Sequence, residues 1–132
     1  MGMRTLVNGT IVLALAIGFG ACGGSKSPSS PDPGNNGTIA ATIVIDATGN
    51  VTPRDVTVAA GSRVTFTNNH NTRHQMSSDP HPEHTLCPSL NIAQLSAGQS
   101  GTSSNLNTAM VCTYHDHIND QDARLKGTIR VQ

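Results

Sequence analysis

Short runs of apolar residues alternating with polar ones dominate the chain between residues 39 and 131. Ile39 to Ile45 is rich in β-branched residues and is bounded by Gly37 and by Gly49-Asn50, which predicts a strand followed by a turn. Val56-Thr57-Val58 and Val64-Thr65-Phe66-Thr67 alternate apolar with polar, the period of half-buried strands, and Ala60-Gly61-Ser62 supplies a tight connection between them. From Asn68 to Leu90 the alternation dissolves into Asn, Ser, Asp, Pro and His, a loop longer than most connections and therefore a place to look for function. Short strands resume around Ile92 to Leu95, after Gly98 and at Ala109 to Cys112, and Gly127 to Val131 closes the pattern. Helical periodicity is confined to a turn around Gln121 to Leu125. The prediction is a small all-β sandwich built from antiparallel sheet.

The N-terminal third reads differently. Arg4, the apolar run Ile11 to Ile17 and the small residues before Cys22 have the layout of a secretory signal, and the run is too short to span a bilayer comfortably. Phe19-Gly20-Ala21-Cys22 resembles the lipobox at which bacterial lipoproteins are cleaved and lipidated, which makes Cys22 the lipidation candidate. Residues 22–37 carry too few apolar side chains to offset the entropy of ordering them and read as a flexible tether. The expected organisation is a signal peptide over 1–21, a tether over 22–37 and one domain over 38–132. It places the domain in the bacterial cell envelope, anchored to a membrane by lipid and facing the periplasm or the exterior.

Charge changes this picture little: Lys+Arg 8 balance Asp+Glu 8, so nothing points to nucleic acid or an anionic surface. Histidine is the unevenly distributed residue, since all 6 fall between positions 70 and 117. Cys112 to His117 adds one thiol and two imidazoles within six residues, ligand types that suit copper or zinc. Within the domain only Phe66 and Tyr114 are aromatic, and so thin a core is one that a disulfide or a bound metal would help. No Ser/His/Asp grouping, carboxylate pair or phosphate-cradling Gly loop stands out, so the chain does not read as an enzyme.

Several segments in order resemble a plastocyanin-like cupredoxin: Val51-Thr52-Pro53 leading to Val56-Thr57-Val58, Gly61 with Val64 to Asn69, His74, Leu95 to Ser100, Cys112-x-x-His115 and the terminal Gly127 to Val131. The resemblance implies a Greek-key sandwich that holds copper by His74, Cys112 and His115. The function it implies is a one-electron carrier exchanging electrons with redox partner proteins of the envelope. The family's Met position matches Leu125, beyond an apparent insertion from Asp116 to Arg124, which leaves the axial place empty or filled by His117, Asp120 or a backbone carbonyl.

Cysteine arithmetic opens an alternative. With Cys22 lipidated, Cys87 and Cys112 form an even pair in an oxidising compartment. A disulfide between them would remove the thiolate that a blue copper site needs, leaving a copper-binding or interaction protein without such a centre. His81 and His84, in the proline-stiffened segment Ser77 to Pro88, are then further candidate ligands, and His117 ranks behind His115. His70 reads as structural and Met76 as core.

Overall fold

A computed structural model describes residues 37–132; the signal segment, nearly all of the tether and Cys22 lie outside the described residues. Eight strands follow in order: β1 Ile39–Ile45, β2 Val51–Thr52, β3 Asp55–Val58, β4 Arg63–Asn68, β5 Met76–Ser78, β6 Ser100–Thr102, β7 Met110–Asp116 and β8 Gly127–Val131. They form two four-stranded sheets, ordered β2-β1-β4-β6 and β3-β8-β7-β5.

The alternation seen in the sequence sets which side chains go inside. In β4, Val64, Phe66 and Asn68 are buried while Arg63, Thr65 and Thr67 face outward. The outward threonines pair with β6 hydroxyls, Thr65 with Thr102 and Thr67 with Ser100, at 2.9 Å each. Phe66 meets Tyr114 of the other sheet edge-to-face, with ring centroids 5.3 Å apart. Around that pair the core collects Ile43, Ile45, Met76, Leu90, Cys112, Ile129 and Val131. The Tyr114 hydroxyl donates to the Arg54 carbonyl at 2.8 Å, so the larger of the domain's two aromatic rings is buried without an orphaned polar atom. Burial pushes its phenol well above the ordinary tyrosine value.

Three features depart from the expectation. The sheets are mixed rather than purely antiparallel, because β1 runs parallel to β4 and β3 parallel to β8; alternation within a strand reports burial, not the direction of its neighbour. Ile92 to Leu95 is not a strand: its one sheet-like pairing is an isolated bridge between Leu95 and His74, while Ile92 and Leu95 are buried in the core. The strand in this region is β5, whose residues Met76, Ser77 and Ser78 are all buried. With both faces covered, no polar–apolar alternation remains to reveal it. The turn expected at Gln121 to Leu125 is a 3₁₀ turn over Ala123–Leu125, capped by the Asp122 side chain. The difference with most consequence is at β7, which continues four residues past Cys112 to Asp116.

Candidate metal centre

The length of β7 decides the fate of the predicted ligands. Cys112 lies mid-strand opposite Ile129, is 1% exposed, and shares the inward face with Tyr114 and Asp116. Its sulfur is bonded to Cys87, with Cα atoms 5.8 Å apart. A disulfide sulfur offers no thiolate, which corrects the assignment of Cys112 as a copper ligand. The strand geometry gives a second reason. At about 3.4 Å per residue, Cys112 lies roughly 14 Å along the strand from Asp116, and Asp116 is the residue whose carboxylate meets His74, at 2.8 Å. His115 points to the opposite face from both. The set His74, Cys112 and His115 is therefore not brought together.

What gathers at His74 instead is a closed polar network. Asp116, fully buried, accepts from His74 Nδ1, from the Gln75 N–H at 2.7 Å and from Asn119 Nδ2 at 2.6 Å. The Nε2 atom of His74 faces His70 Nδ1 at 2.9 Å. Where the resemblance placed a thiolate and His115 beside His74, the chain has the Asp116 carboxylate and the imidazole of His70.

His115 belongs to a different group. On the outer face of β7, residues 79–88 fold back over the strand, held by the Asp79 N–H to the Thr113 carbonyl and the Leu86 N–H to the Asp79 carbonyl. This cover leaves His115 only 1% exposed. Its ring lies 5.4 Å from that of His81 and 5.0 Å from that of His84, centroid to centroid. Donor nitrogens of His81, His84 and His117 lie within 4.8 Å of one another. His115 and His117 share this face because residues two apart in an extended run point the same way; that periodicity raises His117 from second choice to a member of the cluster. His81 is the exposed member.

The tautomers of two of these rings are fixed by their partners. His115 Nδ1 donates to Asp79 Oδ1 at 2.6 Å, and His84 Nδ1 donates to the Ser78 carbonyl at 2.8 Å. Each ring therefore keeps its lone pair on Nε2. His84 Nε2 faces His117 Nδ1 at 2.7 Å. Among the described residues, His115 Nε2 is a buried side-chain nitrogen with no hydrogen-bond partner, an arrangement that native interiors rarely leave without a purpose. Burial pushes the His115 imidazole below its ordinary value even against the pull of Asp79, which keeps it neutral and able to ligate. The Asp79 carboxyl is held below the usual range: burial would raise it, but hydrogen bonds from the Thr113 and His115 side chains prevail.

His84 adopts φ 53°, in the left-handed region, which costs a side-chain-bearing residue roughly 1–2 kcal/mol. Its carbonyl accepts from Ser78 Oγ and Asn91 Nδ2, both at 3.0 Å, and these bonds hold the strained turn that aims its ring. A carboxylate or carbonyl on one imidazole nitrogen, with the other nitrogen turned toward further imidazoles, is the supporting arrangement of metal-binding histidines. No local signal marks Asp79 or Asp116 for these positions, because each reaches its histidine from a distant part of the chain.

No protein-family model matches the sequence, and no curated protein is similar to it in sequence. Solved structures do match in fold. A purple cupredoxin from Nitrosopumilus maritimus superposes with a TM-score of 0.57 at 20% identity, covering 70% of this chain and 99% of that one. The oxidised plastocyanin of Dryopteris crassirhizoma gives 0.56 at 23%, over 69% and 99%. An oxidised mutant of amicyanin gives 0.55 at 16%, over 70% and 82%. The fold is that of the cupredoxins. Within it, the described residues carry a disulfide in the middle of β7 and a histidine cluster on that strand's outer face.

Proposed function

We propose that the domain is a copper-binding protein of the bacterial envelope that holds its ion among His81, His84, His115 and His117, of which His81 is the exposed member. The observation that carries this reading is the convergence of His81, His84 and His117, with the buried, unpartnered Nε2 of His115 beside the first two. Imidazole suits copper and zinc alike; the choice of copper rests on the fold shared with plastocyanin and amicyanin. Bound copper would supply a one-electron redox centre, while the protein's part is to fix tautomers through Asp79 and the Ser78 carbonyl and to cover the site with residues 79–88. The accessible His81 is the natural point of entry and handover. A lipid at Cys22 and the tether over 22–37 would keep the centre near a membrane and its partners.

Copper loading of the full chain tests the proposal. One copper should be lost in His84→Ala/His117→Ala and in His115→Ala, and the copper(II) electron paramagnetic spectrum should show nitrogen ligation with only weak visible absorption. An intense band near 600 nm, the mark of a copper thiolate, would overturn it. Electron carriage is a second reading, favoured by the fold of the oxidised plastocyanin and amicyanin neighbours. It requires the copper-loaded chain to give a reversible one-electron wave in voltammetry.

A further inference from the structure

The inner face of the same strand end carries a second convergence of donor atoms. His70 Nδ1 lies 2.9 Å from His74 Nε2, and Thr72 Oγ1 lies 2.9 Å from the first and 3.3 Å from the second. Three donors thus form a small triangle in the turn that follows β4. An ion about 2.0–2.1 Å from each, the usual distance to nitrogen and oxygen ligands, would sit roughly 1 Å above that triangle and leave its outer positions to water.

The turn is built in advance. Asn68, fully buried, takes the His70 N–H on its Oδ1 at 2.9 Å and gives its Nδ2 to the Thr72 carbonyl at 2.7 Å and the Leu95 carbonyl at 3.2 Å, so both ends of the 70–72 segment are pinned by one amide. His74 is oriented from behind: Asp116 accepts from its Nδ1, which leaves the lone pair on Nε2, directed at His70. This is the same device that Asp79 applies to His115. The His70 ring lies against Gly49, close enough that a Cβ there would be in van der Waals contact with its Cε1.

We propose that His70, Thr72 and His74 form a second site for a divalent ion of the imidazole-preferring class, copper(II) or zinc(II), separate from the histidine cluster on the outer face. The two sites lie on opposite faces of β7 at its C-terminal end, one backed by Asp116 and the other built on His115. The second stands whether or not the first binds copper.

Equilibrium dialysis of the full chain against zinc(II), and separately against copper(II), reads the stoichiometry. The expected result is two bound ions per chain. His70→Ala should bind one, with the affinity of the remaining site unchanged; Thr72→Val, which removes one of the three donors, should weaken the second ion at least about tenfold. His84→Ala/His117→Ala should also bind one, and that ion should disappear when His70→Ala is added. If the wild-type stoichiometry is the same as that of His70→Ala, the three donors merely hydrogen bond to one another and the proposal is wrong. A wild type whose single ion is lost on His70→Ala but kept in His84→Ala/His117→Ala would uphold this site and sink the outer one. Circular dichroism of each variant, compared with wild type, separates loss of an ion from loss of fold.

Discussion

Replacing Cys87 and Cys112 together by alanine separates the two roles open to Cys112. The bond joins residues 25 apart, and the loss of that constraint on the unfolded chain corresponds to about 3.5 kcal/mol at room temperature by loop-closure entropy. Alanine avoids placing a hydroxyl where Cys112 is 1% exposed, which would add a desolvation cost of its own. For a domain of roughly this size each kcal/mol moves the melting temperature by about 4–8 °C, so the variant should melt some 14–28 °C lower. Stability totals of about 5–15 kcal/mol are usual, so it should still fold. Urea denaturation followed by circular dichroism measures the loss, and wild type treated with reductant should fall by a similar amount. Reduction of the unfolded wild type should expose two additional thiols. Copper bound through the histidines should be retained by the double variant with unchanged affinity. Normal stability together with loss of copper would refute the reasoning, because it would mean that Cys112 gives its sulfur to the metal.

Other consequences are nearer the surface. Asp79→Asn keeps the shape but weakens the acceptor that fixes the His115 tautomer, so copper affinity should drop about 10–100-fold with the dichroism spectrum unchanged, as competition with a chelator would show. Tyr114→Phe removes the hydroxyl that donates to the Arg54 carbonyl and should cost about 1 kcal/mol in urea; Gly127→Ala should cost more, because the added Cβ meets that carbonyl and the Tyr114 hydroxyl. The Asp46 carboxyl is held down at about 2 by the Thr48 hydroxyl and then by the Asn50 N–H. A depressed carboxyl lends its support above the unfolded value near 3.9 and loses it as pH falls through 2. Protection of the amides from Asp46 to Asn50, taken relative to intrinsic exchange at each pH, should therefore fall between about pH 4 and pH 2, and Asp46→Ala should abolish that dependence; a turn equally protected at the acid end would contradict it.

Much of the framework was legible because it rests on local periodicity. Ile39 to Ile45, Val56 to Val58, Val64 to Thr67 and Gly127 to Val131 all fall in strands of the structure, and Gly49, at φ 79°, supplies the positive φ that the turn after β1 requires. Met76 is core, as its place suggested. The clustering of histidines pointed to the region where the structure gathers imidazoles. The strand over Ala109 to Cys112 was expected to end at Cys112, whereas β7 runs on to Asp116 and Cys112 pairs with Cys87, the alternative that cysteine arithmetic had opened. A run ending in Tyr114-His115-Asp116 has no glycine or proline to mark where β7 stops, and pairing of Met76 with Asp116 carries it further.

The sequence by itself determined an all-β domain, its inward-facing residues, and the presence of six imidazoles and two spare cysteines in one half of the chain. Only the tertiary structure decided how these were shared out. Strand direction depends on which neighbours meet, and β5 is buried on both faces by segments distant in the chain. The pairing of His74 with Asp116 spans 42 residues and that of His115 with Asp79 spans 36. A ligand's partner is chosen by what the fold brings across such gaps, and the four residues by which β7 outruns Cys112 move its sulfur into the core and leave the imidazoles to face one another.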